Sequence, residues 1–354
     1  MFSRSICGIG RWHATGMRAC RRTLSLFLVI TGLISATTGA AWACACGCSV
    51  FDVGGGLLPQ EMDHGGRIFT EWWSANQNRN WIGTNRALDS ANTDKRLVSN
   101  WYNVGFQYMF NREWGVFARV PFATRSFTAF DPDAGVTNTF KDRSIGDLEV
   151  SVMYTGFASD MSTGVMLGFK LPTGDYKAPG FDRDNQIGSG SIDLILAAFH
   201  RGMITGDNAW QYFAQVRGLI PFAYKSAFNP DTGNVDVYRP GYQVDGAFGI
   251  VYNNGYNILG FDKIAPLVQV IASHRVHDSG PAADPLNTGF DRLMISPGIE
   301  FTKVIDEKNN LVAKLYVDVE IPFYYRVNAA INADGSQGQL IAPYLTKMTA
   351  SINF

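Results

Sequence analysis

Along most of the chain apolar and polar residues alternate one by one, the period of a β-strand with two unlike faces. Tyr102, Val104, Phe106, Tyr108 and Phe110 share one face, and Asn103, Gly105, Gln107 and Met109 share the other. Leu148, Val150, Val152 and Tyr154 likewise stand against Asp147, Glu149, Ser151 and Met153. Leu315, Val317, Val319, Ile321 and Phe323 stand against Lys314, Tyr316, Asp318 and Glu320. The pattern predicts twelve strands, near 66–75, 97–110, 114–126, 144–158, 163–172, 188–201, 209–223, 240–253, 263–276, 290–303, 311–326 and 341–354. The connections between them alternate in length. Short turns such as Asn111-Arg112-Glu113 and Ser159 to Ser162 take turns with long segments near 76–96, 127–143, 173–187, 224–239, 277–289 and 327–340, which are rich in Asp, Asn, Gly and Pro.

An even number of strands, joined in turn by short and long connections, is the layout of an outer-membrane barrel. The expected fold is therefore all-β: a transmembrane antiparallel up-and-down barrel of about twelve strands over residues 66–354, with both termini on the periplasmic side. The last strand closes on Phe354, with Met348, Ala350 and Ile352 on its apolar face. A soluble periplasmic β-sandwich alternates in the same way and is the competing architecture.

The N-terminal region adds an export reading. Residues 1–43 read as a signal peptide: Arg18, Arg21 and Arg22 precede the apolar stretch Leu24 to Ile34, and Ala41-Trp42-Ala43 fits a small-x-small cleavage site. Met17 is an alternative start. After residue 43 no apolar run reaches the 18 residues of a helical span. The expected location is the bacterial outer membrane, with its lipid as one partner.

Composition narrows the function. The chain has 354 residues, 46% hydrophobic and 17% charged, with a formal net charge of −1. So balanced a charge gives no footing for a nucleic-acid partner. No His-Glu-x-x-His, Gly-x-Ser-x-Gly or Walker loop is present, so no enzyme is expected.

Three stretches carry a family resemblance: Ile145-Gly146-Asp147-Leu148, Gly168-Phe169-Lys170-Leu171-Pro172-Thr173-Gly174-Asp175-Tyr176, and Gly188-Ser189-Gly190-Ser191-Ile192-Asp193. Together they resemble the outer-membrane family labelled "meta-pathway of phenol degradation", a group of small-molecule transporters. The resemblance implies a channel or transporter for small, hydrophobic or aromatic molecules. Read physically, Pro172 ends a strand and Thr173-Gly174-Asp175 turns the chain outward. Val120-Pro121-Phe122, Ile220-Pro221-Phe222 and Ile321-Pro322-Phe323 repeat an apolar-Pro-aromatic device on other strands, expected at a common rim.

By parity, Arg119, Asp147, Glu149, Lys170, Asp193, Arg217, Asp245, Glu300, Lys314, Asp318, Glu320 and Lys347 fall on the polar face. They are the candidates for a lumen wall that sets selectivity, or for ion pairs that fill a narrow barrel. Cys44, Cys46 and Cys48 stand apart in segment 44–65, which is expected to act as a plug or a periplasmic arm. Their thiolates suit copper or zinc. They equally suit an oxidised pair or a link to a periplasmic partner, which gives an alternative function as a redox or metal-associated barrel. His274 and His277 are read as a loop-edge pair or a surface metal site.

Overall fold

The protein is described by a computed structural model covering residues 64–354, apart from 133, 226, 230–233, 254–256, 258, 286–287 and 330–337. The expected signal segment 1–43 and nearly all of segment 44–65 lie outside the described residues.

The alternation folds as thirteen strands in one sheet: β1 (Gly65–Gln77), β2 (Asp94–Met109), β3 (Trp114–Asp131), β4 (Val136–Ile145), β5 (Leu148–Tyr154), β6 (Thr163–Leu171), β7 (Ser191–Met203), β8 (Trp210–Tyr224), β9 (Gln243–Tyr252), β10 (Lys263–Arg275), β11 (Phe290–Asp306), β12 (Leu311–Val327) and β13 (Leu345–Asn353). Each strand except β4 pairs antiparallel with the next, and β4 and β5 both pair with β3, as two halves of one stave. β13 pairs with β12 on one side and β1 on the other, so the sheet closes as a barrel of twelve staves. Closure leaves the barrel wall without an edge apart from β4, which pairs only with β3. The first and last strands are tied at one end, where Gly66 donates to the carbonyl of Phe354 at 2.7 Å. That end also carries the short turns and is called the turn end; the opposite one is the loop end.

The two faces are inverted relative to a soluble protein. Ile68, Val104, Val152, Leu167, Phe248 and Ile352 are exposed, while Arg67, Glu71, Asn103, Gln107, Asp193 and Asp318 are buried. A β-sandwich buries its apolar faces against each other, so this arrangement excludes the competing fold. Two belts of aromatic side chains border the apolar band. Trp114, Tyr154 and Phe157 form ring contacts at the turn end, as do Trp210 and Tyr252. Phe122, Phe222 and Phe323 are exposed nearer the loop end. On tilted strands the spacings from Trp114 to Phe122 and from Trp210 to Phe222 correspond to roughly 20 and 30 Å, which brackets the thickness of a barrel's lipid-facing band.

The apolar-Pro-aromatic triplets are not plain rim markers. Proline has no N–H for the ladder, and all three lie where the pairing slips. Phe222 is an extra residue between the pairs Pro221–Asp193 and Ala223–Ile192. Phe323 is extra between Pro322–Met294 and Tyr324–Leu293. Pro121 accepts from the Gly146 amide at 2.8 Å, opposite the break between β4 and β5. Phe222 and Phe323 are the extra residues of their bulges and are exposed, whereas on the β2 side Pro121 and Phe122 keep regular pairing with Asn103 and Tyr102.

Of the differences from the expected strand boundaries, two change the layout. Segment 127–143 is not a loop: β3 and β4 stay paired from Phe122–Ile145 out to Asp131–Val136. The β4 residues Thr137, Asn138, Thr139, Lys141, Asp142 and Arg143 have no buried face, so no alternation marks them. At the C-terminus the final stave begins at Leu345 rather than 341, because Gln339–Ile341 pairs instead with Arg79–Ile82 in a small loop-end sheet.

Inside the barrel the turn end is apolar along the staves from β1 to β7, where Phe69, Met109, Phe117, Met153, Met166 and Phe199 cluster with Met161 from a turn. Nearer the loop end Trp73 and Trp101 pack in a second cluster with Ala247, Ile271 and Met294 from β9, β10 and β11.

Candidate lumenal site

Between these layers a line of charges crosses the barrel. Lys347 on β13 meets Glu71 on β1 at 3.2 Å, and Glu71 lies 3.9 Å from Arg119 on β3. The Arg119 guanidinium contacts Glu149 on β5 at 2.9 Å, and Arg217 on β8 reaches the same carboxylate at 2.7 Å. Asn103 donates to Glu71 at 2.7 Å. Every member of the line is buried or nearly so. Carboxylates buried without partners would carry a large desolvation cost, and the alternating signs remove most of it.

A second group fixes the loop between β6 and β7 and uses all three stretches that carry the family resemblance. Asp147 sits in the break between β4 and β5. Its oxygens accept from the Gly174 amide at 3.0 Å, from the Ser189 amide at 2.8 Å and from the Ser189 hydroxyl at 2.5 Å. Thr173 Oγ1 donates to the Gly146 carbonyl and accepts from the Leu148 amide. Gly174 and Gly188 lie backbone to backbone; a Cβ on Gly188 would come within 2.4 Å of Gly174. Lys170 then contacts Asp193 at 2.5 Å and Asp147 at 3.7 Å. Arg125 holds the far side of the loop by donating to the carbonyls of Asn185 and Gln186. The loop is thus folded over the lumen rather than away from it.

A third knot joins the two loops that flank β9 and β10. Asp278, wholly buried, accepts from the Tyr238 hydroxyl, from the Gly241 amide at 2.7 Å and from Arg275 at 2.7 Å.

Below these loops lies a cavity of about 180 Å³. Its wall combines Arg119, Glu149, Lys170 and Arg217 from the strands, Arg183 and Ser189 from the β6–β7 loop, and the indoles of Trp73 and Trp101. Those indoles stack with centroids 5.6 Å apart. The guanidinium of Arg125 lies 5.5 Å from the Trp101 ring centroid.

The parity candidates fall into three sets. Arg119, Asp147, Glu149, Lys170, Asp193, Arg217 and Asp245 come together on the cavity wall. Asp318, Glu320 and Lys347 are buried in the lumen on β12 and β13, outside that wall; Asp318 accepts from Ser296 at 2.5 Å. Glu300 and Lys314 form a 3.1 Å pair nearer the turn end and do not join the site. Glu71 was absent from the candidates although its parity matches, and only its neighbours show its weight. Arg125 shares the inward parity of Arg119 on β3 but was not among the candidates; Arg183, Tyr238 and Asp278 lie in loops, where no periodicity marks them. His274 pairs with Asp291 at 2.7 Å, and His277 bonds the Asp278 carbonyl, so the two do not form a joint site. Among the described residues no group of three or more His, Cys, Asp or Glu is placed to hold a metal. Cys44, Cys46 and Cys48, the expected copper or zinc ligands, lie outside the described residues.

No protein-family model matches the chain, and no curated protein matches it in sequence. Solved structures do resemble it. The crystal structure of an outer membrane channel from Pseudomonas putida F1 superposes with a TM-score of 0.57 at 10% identity, covering 86% of this chain and all of that one. The transport unit of the autotransporter AIDA-I from Escherichia coli gives a TM-score of 0.43 at 9% identity, over 86% of this chain and 93% of that one. A FadL homologue from Pseudomonas aeruginosa gives 0.37 at 8% identity, over 82% and 89%. At these identities the likeness establishes the fold: this chain has the barrel architecture of an outer membrane channel.

Proposed function

We propose that the protein is a channel of the bacterial outer membrane that lets small molecules cross, and that it is not an enzyme. The observation that carries this reading is the inverted barrel, with an apolar band bordered by aromatic belts outside and a charged lumen inside. Such a surface suits lipid and is unfavourable in water. The turn end, which holds both ends of the barrel, faces the periplasm, and the longer loops face outward, as in other outer-membrane barrels. The likeness to the Pseudomonas putida F1 channel supports the same reading. The stacked indoles of Trp73 and Trp101 on the cavity wall support solutes with a flat apolar part.

Planar-bilayer recording on the purified, refolded barrel tests the proposal. Discrete current steps, absent from a heat-unfolded sample, are expected. The line from Lys347 to Arg217 narrows the lumen, so the steps should be small. A folded barrel that stays electrically silent and passes no solute into liposomes would overturn it.

A further inference from the structure

The acidic and basic residues on the cavity wall are not equally engaged. Glu149 is held by Arg119 and Arg217. Asp147 accepts from three donors of the β6–β7 loop and contacts Lys170. Asp193 is held by Lys170 and the Ser191 hydroxyl. Both oxygens of Asp245 accept from the Gln243 amide, at 3.0 and 2.9 Å.

Arg183 differs from Arg119, Lys170, Arg217 and Arg275 on the wall, each of which contacts a carboxylate. It makes no carboxylate contact within 4.0 Å among the described residues. The hydrogen bond it donates runs from Nη2 to the Ser189 carbonyl, and its Nε is buried with no acceptor. Its guanidinium lies between two rings instead, 4.4 Å from the centroid of Tyr238 and 5.2 Å from that of Tyr176. Ring faces steady a cation without neutralising it. Burial pushes the Arg183 pKa down, and the fields of Tyr238, Asp278 and Asp147 offset this only in part. On the same wall Trp101 Nε1 is buried and donates to nothing, so a second donor lacks its acceptor.

A guanidinium without a carboxylate, an unmet indole N–H and a flat pair of rings share one small chamber. A guanidinium fork matches a carboxylate in shape and charge. The geometry points to a selectivity site for small organic carboxylates, with Arg183 taking the anionic group and the Trp73–Trp101 face taking a planar body. This rests on the channel reading and names the solute class for it.

Three probes of nearly equal size separate charge from shape: benzoate, benzyl alcohol and benzylamine. They are titrated against the detergent-solubilised barrel by tryptophan fluorescence, alongside bilayer recording of the same preparation. Benzoate should bind about tenfold more tightly than the other two, the scale of one charge-assisted hydrogen bond. Arg183→Gln should erase that preference and leave benzyl alcohol unchanged. Arg183→Lys should keep part of it, and an unchanged heat-shift on gels shows that both variants fold. Equal binding of all three probes, or a benzoate preference that survives Arg183→Gln, overturns the inference. If current steps are present in that case, the channel reading stands without it. A benzoate preference in a barrel that conducts nothing supports the site and removes the channel.

Discussion

Arg217 reaches Glu149 at 2.7 Å although three strand spacings separate them along the wall. Neighbouring strands lie about 4.8 Å apart, so the path along the sheet is roughly 14 Å. The contact is therefore made across the lumen, as a strut between β5 and β8. Breaking a buried pair outright costs about 3–5 kcal/mol; Arg217→Ala should cost less, because Glu149 keeps Arg119 at 2.9 Å. Arg217→Ala should lower the temperature at which the barrel loses its compact gel mobility and should enlarge the current steps. Retention of both properties would show that the strut carries neither stability nor constriction.

Asp147 is the stitch that holds the β6–β7 loop over the lumen. Asp147→Ala removes the acceptor of three hydrogen bonds, each worth about 1 kcal/mol, more where the acceptor is charged. The barrel should still assemble, because the ladders of β5 and β6 are untouched. Limited proteolysis should then cut within 173–190 in the variant several times faster than in the parent.

Acidity should act on the same end of the molecule. Asp94 lies at the loop-end tip of β2, beyond the apolar band. Burial, reinforced by Asp182, pushes its carboxyl up to about 7 from an ordinary 3.8. An acid whose pKa is raised by folding favours the folded arrangement at low pH. That contribution is complete below about pH 4 and is lost as pH rises through about 7. Loop-end proteolysis should therefore quicken between about pH 5 and about pH 9, and Asp94→Asn should flatten the dependence. A rate that is unchanged over this range in the parent would refute the coupling.

Val150 is 37% exposed on the outer face of β5, opposite Ala118 and so midway between Trp114 and Phe122. Val150→Arg places a charge in hydrocarbon, which costs about 2–4 kcal/mol near the midplane of a barrel. Urea unfolding in lipid vesicles should show a loss of that size. A loss under about 0.5 kcal/mol would mean that this face does not meet lipid, because ordinary surface substitutions stay within that range.

Much of this was legible in the sequence. A strand whose two faces meet different media must alternate, so β2, β5 and β12 announced themselves, and parity alone sent Asp147, Glu149 and Lys170 inward. The hairpin tip was not legible, because Thr137 to Arg143 has no fully buried face and only Phe140 supplies an apolar side chain to an inner cluster. The site was half legible for a related reason. Arg119 and Arg217 belong to periodic strands, whereas Arg183, Tyr238 and Asp278 arrive through loop folding, which leaves no period behind. The three motif stretches pointed to the right place, since Asp147, Thr173, Gly174 and Ser189 form one knot. Their spacing in the chain did not show that the knot pulls a loop inward.

The continued pairing of β3 with β4 has a consequence for how the cell's surroundings meet this protein. Nine residue pairs beyond Phe122–Ile145 carry β3 and β4 some 20 Å past the aromatic belt, with β2 paired alongside β3 as far as Asp94–Ala129. With the loop end outward, as proposed, anything arriving from outside meets this raised side of the wall before it meets the cavity.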